Sequence, residues 1–191
     1  MSIVTAARIT VCLAGATGWA GSELARAIAR SGDLVLVAGV SRTHAGRDLG
    51  DVLGDPQIKC PVYKSAAEAL ADWCDVFVEY TKPDTAKANV LAALERGAHV
   101  VVGTSGLTKQ DYAEIDAAAR QRGRGVLAVG NFALTMVLMQ KFAEIAASMI
   151  PQREIIDYAH DDKIDAPSGT VRELATRLSR VRPPEPAVPI E

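Results

Sequence analysis

The residues from Lys163 to Thr170, together with His160, combine hydrogen-bond donors and positive charge in a way that suits an anion-binding site. Helical periodicity begins just after this segment, and either Ser168 or Thr170 is a suitable N-cap for the helix. Ser168, Gly169 and Thr170 would then direct backbone N–H groups and hydroxyls at the positive end of the helix dipole. The pattern predicts a site for a small carboxylate or phosphate. The structural alternative is an ordinary capped helix after a Pro-Ser-Gly turn.

A second chemical feature is a glycine-rich turn between a strand pattern and a helix pattern. An apolar run over residues 8–14 enters the turn, and residues 22–30 place apolar side chains on one helical face. Glycines allow the backbone to approach a pyrophosphate closely, and the helix N-terminus then receives the negative charge. The turn therefore predicts a dinucleotide-binding loop. Its expected cofactor-binding residues are Gly15, Thr17, Gly18, Trp19, Ala20 and Gly21.

The end of the second strand pattern, Leu34–Val40, indicates which dinucleotide is bound. A site specific for NAD usually places Asp or Glu there to hold the ribose hydroxyls. This strand is followed instead by Ser41 and Arg42, which can hold a 2′-phosphate, and Arg47 is a possible helper. The sequence therefore favours NADPH, with NADH as a possible cofactor.

The rest of the first part alternates between strand and helix patterns, as a doubly wound parallel sheet requires. Strands are predicted over 75–81, 99–103 and 125–129, with helices over 85–96 and 109–121 between them. Ligands bind at the carboxyl ends of such strands, so the loops there are expected to face the cofactor. The residues expected to do so are Tyr80, Thr81, Gly103, Thr104, Gly130, Asn131 and Phe132.

The sequence predicts two domains. Residues 1–131 form the dinucleotide-binding domain, a Rossmann-type α/β fold. Residues 132–191 begin a smaller second domain, for which the resemblance of the motifs to a known family implies an α+β class and roles in substrate binding and oligomerisation. Within it, a long apolar helix over 134–148 precedes a strand over 154–159.

Composition excludes several classes of function. The net charge is −2, so nothing indicates a nucleic-acid or membrane-surface partner. No apolar run reaches the ~18 residues of a membrane span, and no signal peptide precedes the first strand. Cys12, Cys60 and Cys74 are scattered, so we expect reduced thiols in a cytoplasmic protein, with no disulfide and no metal site.

The order of these motifs resembles the dihydrodipicolinate reductase family of lysine and diaminopimelate biosynthesis. After the glycine-rich turn come Tyr-Thr-Lys-Pro at 80–83, Gly-Thr-Ser-Gly at 103–106, Gly-Asn-Phe at 130–132 and Lys-Ile-Asp-Ala-Pro-Ser-Gly-Thr at 163–170. The last motif is the most specific of the set. The resemblance implies hydride transfer from NAD(P)H to a cyclic imine dicarboxylate. It also implies a homotetramer built by the smaller domain.

The resemblance also assigns residue roles. Lys163 and His160 would be the catalytic residues. The substrate would be held by Thr104, His160, Lys163, Ser168, Gly169 and Thr170. Three features depart from the family pattern. Ala159 stands where the family's proposed proton donor, a histidine, is usual; Trp19 stands where an arginine is common; and the sequence stops at Glu191, where family members continue.

Other functions share parts of this pattern. Acyl-phosphate and semialdehyde dehydrogenases have a similar glycine-rich start, but they need a nucleophilic cysteine at a helix start, and no cysteine is so placed. Short-chain dehydrogenases need a lysine four residues after a tyrosine, and Lys163 lies five after Tyr158. Two alternatives remain open. One alternative to the family's own reaction is a divergent paralogue that reduces another imine or carbonyl. The other is a non-catalytic nucleotide- and carboxylate-binding protein.

Overall fold

The computed structural model describes residues 7–158 and 167–185. His160 and Lys163 therefore lie outside the described residues. The chain divides into two compact units, Met1–Ala128 and Val129–Glu191. The domain boundary after residue 131 stays a prediction from the sequence.

The first unit is built on one parallel sheet of six strands in the order β3-β2-β1-β4-β5-β6. Its strands are β1 Ile9–Ala14, β2 Leu34–Val40, β3 Val62–Tyr63, β4 Val76–Glu79, β5 His99–Val102 and β6 Val126–Ala128. Its helices are α1 Trp19–Ala29, α2 Leu49–Leu53, α3 Ala66–Ala69, α4 Pro83–Glu95 and α5 Lys109–Arg122. This strand order is that of the doubly wound dinucleotide-binding fold, so the predicted α/β class is confirmed.

Strand β1 lies in the middle of this sheet, between β2 and β4. Its residues Val11–Ala14 are all buried, because helices cover both faces of a parallel sheet. The strand order reverses between β1 and β4. Ligands of open parallel sheets bind at such a switch point, beside the carboxyl ends of the strands. The predicted site residues of the first unit follow these ends.

Three short elements, β3, α2 and α3, were not predicted. Strand β3 has only two residues, too few to show periodicity, and it forms because Gly39 and Val40 offer it a partner strand. Asp48 caps the N-terminus of helix α2, because its side chain accepts from the Gly50 N–H. Gly54, whose backbone is in the left-handed conformation, caps the C-terminus. Such short elements depend on these local contacts more than on intrinsic propensity.

The described residues of the second unit form two helices, α6 Leu134–Met149 and α7 Gly169–Val181. They pack through Ala147, Leu174 and Leu178. Arg177 on α7 forms an ion pair with Glu144 on α6 at 2.5 Å. The strand predicted over 154–159 is absent from its described part, 154–158, because no strand among the described residues pairs with this segment.

The three thiols lie in the core of the first unit. Burial raises the pKa of Cys12, with smaller effects from the neighbouring Cys74 and Cys60, and burial also raises the pKa of Cys60 to about 12 and that of Cys74 to about 11. None of them is exposed as a thiolate nucleophile. No helix of the described ranges 7–158 and 167–185 is long and apolar enough to cross a membrane.

We expect a thiol reagent to leave the folded chain unmodified at pH 8, because the reactive thiolate is both scarce and buried. Labelling with 5,5′-dithiobis(2-nitrobenzoate) in buffer and in guanidinium chloride measures this. The unfolded chain should release three equivalents. Rapid release of one equivalent from the folded chain would contradict the placement of these residues.

Candidate functional site

The glycine-rich turn brings the ends of β1 and β4 into direct backbone contact. Gly15 has a φ of 79°, and a Cβ there would lie 2.1 Å from the carbonyl oxygen of Tyr80. A Cβ on Gly21 would lie 2.1 Å from the carbonyl oxygen of Gly15. Only glycine fits at both positions, so α1 packs directly on the turn. This contact leaves the backbone of the turn accessible to a ligand at the carboxyl edge of the sheet.

The N-terminus of α1 is arranged to receive an anion. The helix starts at Trp19, and its N-cap is Gly18, which has no side chain to accept from the first turn. The N–H groups of Trp19, Ala20 and Gly21 precede the first intrahelical donors, so they are directed at the turn. Trp19 itself is 92% exposed. This geometry fits a phosphate group.

The end of β2 supplies polar groups to the same cleft. The hydroxyls of Thr17 and Ser41 are 2.8 Å apart, which joins the turn to β2. Arg42 is exposed beside them, and Lys64 approaches from the end of β3. The cleft has a volume of about 460 Å³. Its lining residues include Gly15, Thr17, Gly18, Ser41, Arg42, Thr43, Lys64, Tyr80, Thr81, Thr85 and Asn89.

Lys64 was missed by the sequence analysis because the two-residue strand before it gave no signal. Arg47, the possible helper of Arg42, does not line this cleft and borders a separate one instead. Of the two arginines, Arg42 alone is therefore placed to meet a group that lies on Ser41.

The ends of β4 and β5 form the other side of the site. The ring of Tyr80 lies over Gly103, where a Cβ would come within 2.2 Å of the ring carbon Cζ. Thr104 is buried and donates to the Glu79 carbonyl at 3.3 Å. Burial raises the pKa of Tyr80, so its hydroxyl stays protonated at neutral pH. The predicted residues of these two strands thus meet at one corner.

Glu79, the last residue of β4, was also missed, and its carboxylate is the centre of that corner. It is fully buried. One oxygen accepts from the Thr81 N–H at 2.6 Å, from the Thr81 hydroxyl and from the Thr104 hydroxyl at 3.2 Å. The other oxygen accepts from the Asn89 amide at 2.9 Å. In the sequence, Glu79 resembles a solvent-facing residue of an alternating strand.

In the second unit, the Gly-Asn-Phe loop meets the start of α7. The Thr170 hydroxyl donates to the Gly130 carbonyl at 3.2 Å, and the Asn131 amide donates to the Thr170 hydroxyl at 3.3 Å. Asn131 also accepts from the Ala133 N–H at 2.8 Å, just before α6. Phe132 is 43% exposed. Two motifs about 40 residues apart in sequence are thereby joined.

Ser168 is the N-cap of α7, as predicted. Its hydroxyl accepts from the Val171 N–H at 3.3 Å, and its own N–H donates to the Asp157 carboxylate at 2.8 Å. Two of the expected donors, the Ser168 N–H and the Thr170 hydroxyl, therefore have internal partners. The first-turn N–H groups of Gly169 and Thr170 remain directed out of the helix start.

The residues of the first unit fit a dinucleotide. A glycine-rich turn that lines a cleft, an uncapped helix start and a neighbouring arginine suit its phosphates and its adenosine end. Within the described ranges, no group of three or more His, Cys, Asp or Glu could hold a metal ion.

Comparison with known proteins agrees with this geometry. The protein-family model described as dihydrodipicolinate reductase, N-terminus, matches residues 9–132. The family model described as dihydrodipicolinate reductase, C-terminus, matches residues 135–188. The chain belongs to the dihydrodipicolinate reductase family. The resemblance inferred from the motifs is therefore confirmed.

Similar members of the dihydrodipicolinate reductase family include curated and solved proteins. The 4-hydroxy-tetrahydrodipicolinate reductase of Bacillus pumilus is 37% identical over 91% of this chain, and that of Halalkalibacterium halodurans is 38% identical over 91%. The chain spans 65% and 66% of these two relatives. A dipicolinate-bound dihydrodipicolinate reductase from Paenisporosarcina sp. TG-14 matches with a TM-score of 0.74 and 30% identity, covering 96% of this chain and 71% of that one.

We expect Gly103→Ala to destabilise the first unit by ~1–3 kcal/mol, because the added methyl forces the Tyr80 ring out of its place. Urea denaturation measures the change. Gly32→Ala is the matched control, since nothing lies within 4 Å of its Cβ and the residue is exposed. If Gly103→Ala is as stable as Gly32→Ala, the Tyr80 ring does not cover Gly103 in solution.

Proposed function

We propose that the chain acts as an NAD(P)H-dependent reductase that binds the nucleotide and the substrate. Its substrate is a small cyclic imine dicarboxylate, similar to dihydrodipicolinate, in lysine and diaminopimelate biosynthesis. The observation that carries this proposal is the glycine-rich turn at Gly15 and Gly18, which lines a cleft beside the uncapped start of α1 at the switch point of the sheet. A homotetramer and a cytoplasmic location remain predictions from the sequence.

Within this proposal, the dinucleotide supplies the hydride. The chain's own residues bind and orient it: the first turn of α1 holds the pyrophosphate, Ser41 and Arg42 hold the adenosine end, and the Tyr80–Gly103 corner receives the nicotinamide half. The two halves are separated because β2 and β4 lie on opposite sides of β1. Gly130, Asn131 and Phe132 are proposed to complete the cofactor contacts.

The substrate carboxylates are proposed to bind Lys163, Thr104 and the N-terminus of α7. The Paenisporosarcina relative holds dipicolinate, a planar dicarboxylate, which supports this class of ligand. The first-turn N–H groups of Gly169 and Thr170 suit one carboxylate because they lie at the positive end of the helix dipole. The ammonium group of Lys163 adds a charge-assisted contact.

Reduction of an imine also needs a proton at the nitrogen. Lys163, or a water held by His160, is proposed to give it. A positioned general acid typically contributes ~10²–10⁴-fold in rate. Because Ala159 replaces the family's usual donor, a divergent paralogue that reduces another imine is the second candidate function. Comparing turnover of dihydrodipicolinate with that of other cyclic imines distinguishes the two.

We expect NADPH to bind more tightly than NADH, and Arg42→Ala to weaken NADPH binding about 10- to 100-fold with little effect on NADH. Loss of a charge-assisted contact to the 2′-phosphate is the reason. Titration calorimetry measures both affinities. Arg47→Ala is the matched control, because Arg47 does not line the cleft. Equal losses for both cofactors in Arg42→Ala would count against the NADP assignment.

We expect the reductase to oxidise NADPH when dihydrodipicolinate is added, and Lys163→Ala to raise KM and lower kcat. Loss of one charge-assisted carboxylate contact corresponds to about 10- to 100-fold in substrate affinity. Absorbance at 340 nm follows the reaction, and Lys141→Ala is the control for removing a lysine elsewhere in the second unit. Binding of dipicolinate to Lys163→Ala at parental affinity would remove Lys163 from the site.

A further inference from the structure

Glu79 is unusual because it is a fully buried carboxylate whose recorded partners are all neutral. It accepts from the Thr81 N–H, two threonine hydroxyls and the Asn89 amide. The ion pairs found within residues 7–158 and 167–185 do not include it. Buried carboxylates usually pair with a cation or a metal, since an uncompensated charge is costly to bury. Among the described residues, no ion pair therefore compensates a negative charge on Glu79.

The position of this charge matters more than its burial. Glu79 ends β4, next to the switch point, and two of its donors, Thr81 and Asn89, line the cleft beside the glycine-rich turn. Ser41 and Arg42 occupy the β2 side of the cleft, where the adenosine end is proposed to bind. The nicotinamide half is thus left to the side of β4 and β5, the strand end at which Glu79 is buried.

Both oxygens of Glu79 accept from N–H donors, one from the Thr81 backbone and one from the Asn89 side chain. The backbone N–H of Thr81 can only donate, so it faces an acceptor oxygen of Glu79. The Thr81 and Thr104 hydroxyls also donate to it. The four donors hold the anion in place without cancelling its charge.

We propose that Glu79 supplies a fixed negative charge that stabilises the oxidised nicotinamide ring relative to the reduced ring. This inference rests on the proposed function. Transfer of a hydride, which carries two electrons, to the imine carbon leaves the ring with one positive charge, while the imine nitrogen takes up a proton. A preorganised anion beside the ring favours that charge as it develops. Glu79 is thus a positioning residue that acts through the field of the site and not through contact with substrate.

A purely structural role for Glu79 is the competing explanation, and the two redox forms of the cofactor separate the two roles. NADP⁺ and NADPH share the same adenosine and pyrophosphate groups and differ in charge at the nicotinamide ring. General loosening of the cleft weakens both forms alike. Removal of a charge near the ring changes the ratio of their dissociation constants.

The experiment compares Glu79→Gln with Asp75→Asn by titration calorimetry of NADP⁺ and NADPH. Asp75 is the matched control because it flanks the other end of β4 and likewise accepts from a threonine, through the Thr10 N–H at 2.7 Å and hydroxyl at 2.8 Å. We expect Glu79→Gln to weaken NADP⁺ relative to NADPH by about five- to tenfold, the effect of one charge about 10 Å away in partly screened surroundings. Asp75→Asn should leave the ratio of the NADP⁺ and NADPH dissociation constants unchanged. Glu79→Asp keeps the charge, so it should keep the parental ratio as well.

Equal weakening of both forms in Glu79→Gln, or an unchanged ratio, would overturn the proposal and leave Glu79 a structural residue. If Glu79→Gln does not fold, Thr85→Lys tests the premise that the ring senses a charge on this wall of the cleft, because it places a positive charge beside Thr81, and an unchanged ratio would overturn the proposal. Its neutral control is Thr85→Gln, and only the lysine should weaken NADP⁺ relative to NADPH. Failure of the parent chain to bind either form would instead contradict the proposed function itself.

Discussion

The close contact between Gly15 and the carbonyl of Tyr80 is the constraint on which the first unit depends. It places the turn after β1 directly on the end of β4, in the middle of the sheet. Gly21 then allows α1 to pack on the same turn. Any side chain at either position would collide with a carbonyl of the protein itself and separate these backbones. The switch point of the fold and its ligand site therefore arise from the same two glycines.

The corner beyond that contact is held by hydrogen bonds from residues of three separate segments. Glu79 joins the loop after β4, helix α4 and the loop after β5 through Thr81, Asn89 and Thr104. The Tyr80 ring fills the space over Gly103. Burying a carboxylate here requires every donor to be in place, because an unsatisfied buried charge is strongly unfavourable. The cost of that arrangement is consistent with a role beyond packing.

In the second unit, polar groups at the start of α7 that are predicted to bind a ligand also form internal hydrogen bonds. The start of α7 is capped by Ser168 and joined to the Gly-Asn-Phe loop through Thr170. Groups that the sequence predicts to donate hydrogen bonds to an anion therefore also hold the helix in position. A bound carboxylate would compete with, or add to, these internal hydrogen bonds, so affinity at this site depends on how readily they exchange.

The sequence by itself determined the elements whose signals are local. Strand and helix periodicity, the glycines at 15, 18 and 21, and the Ser168 cap predicted the Rossmann-type sheet, its ligand edge and the start of α7, and the motif order indicated the family. The tertiary structure alone decided which distant residues meet. Glu79 accepts from Thr104, 25 residues away, and Asn131 contacts Thr170, 39 residues away. Periodicity and capping act within a few residues, whereas these contacts exist only after the sheet has brought the strand ends together, which is why Glu79 and Lys64 escaped prediction.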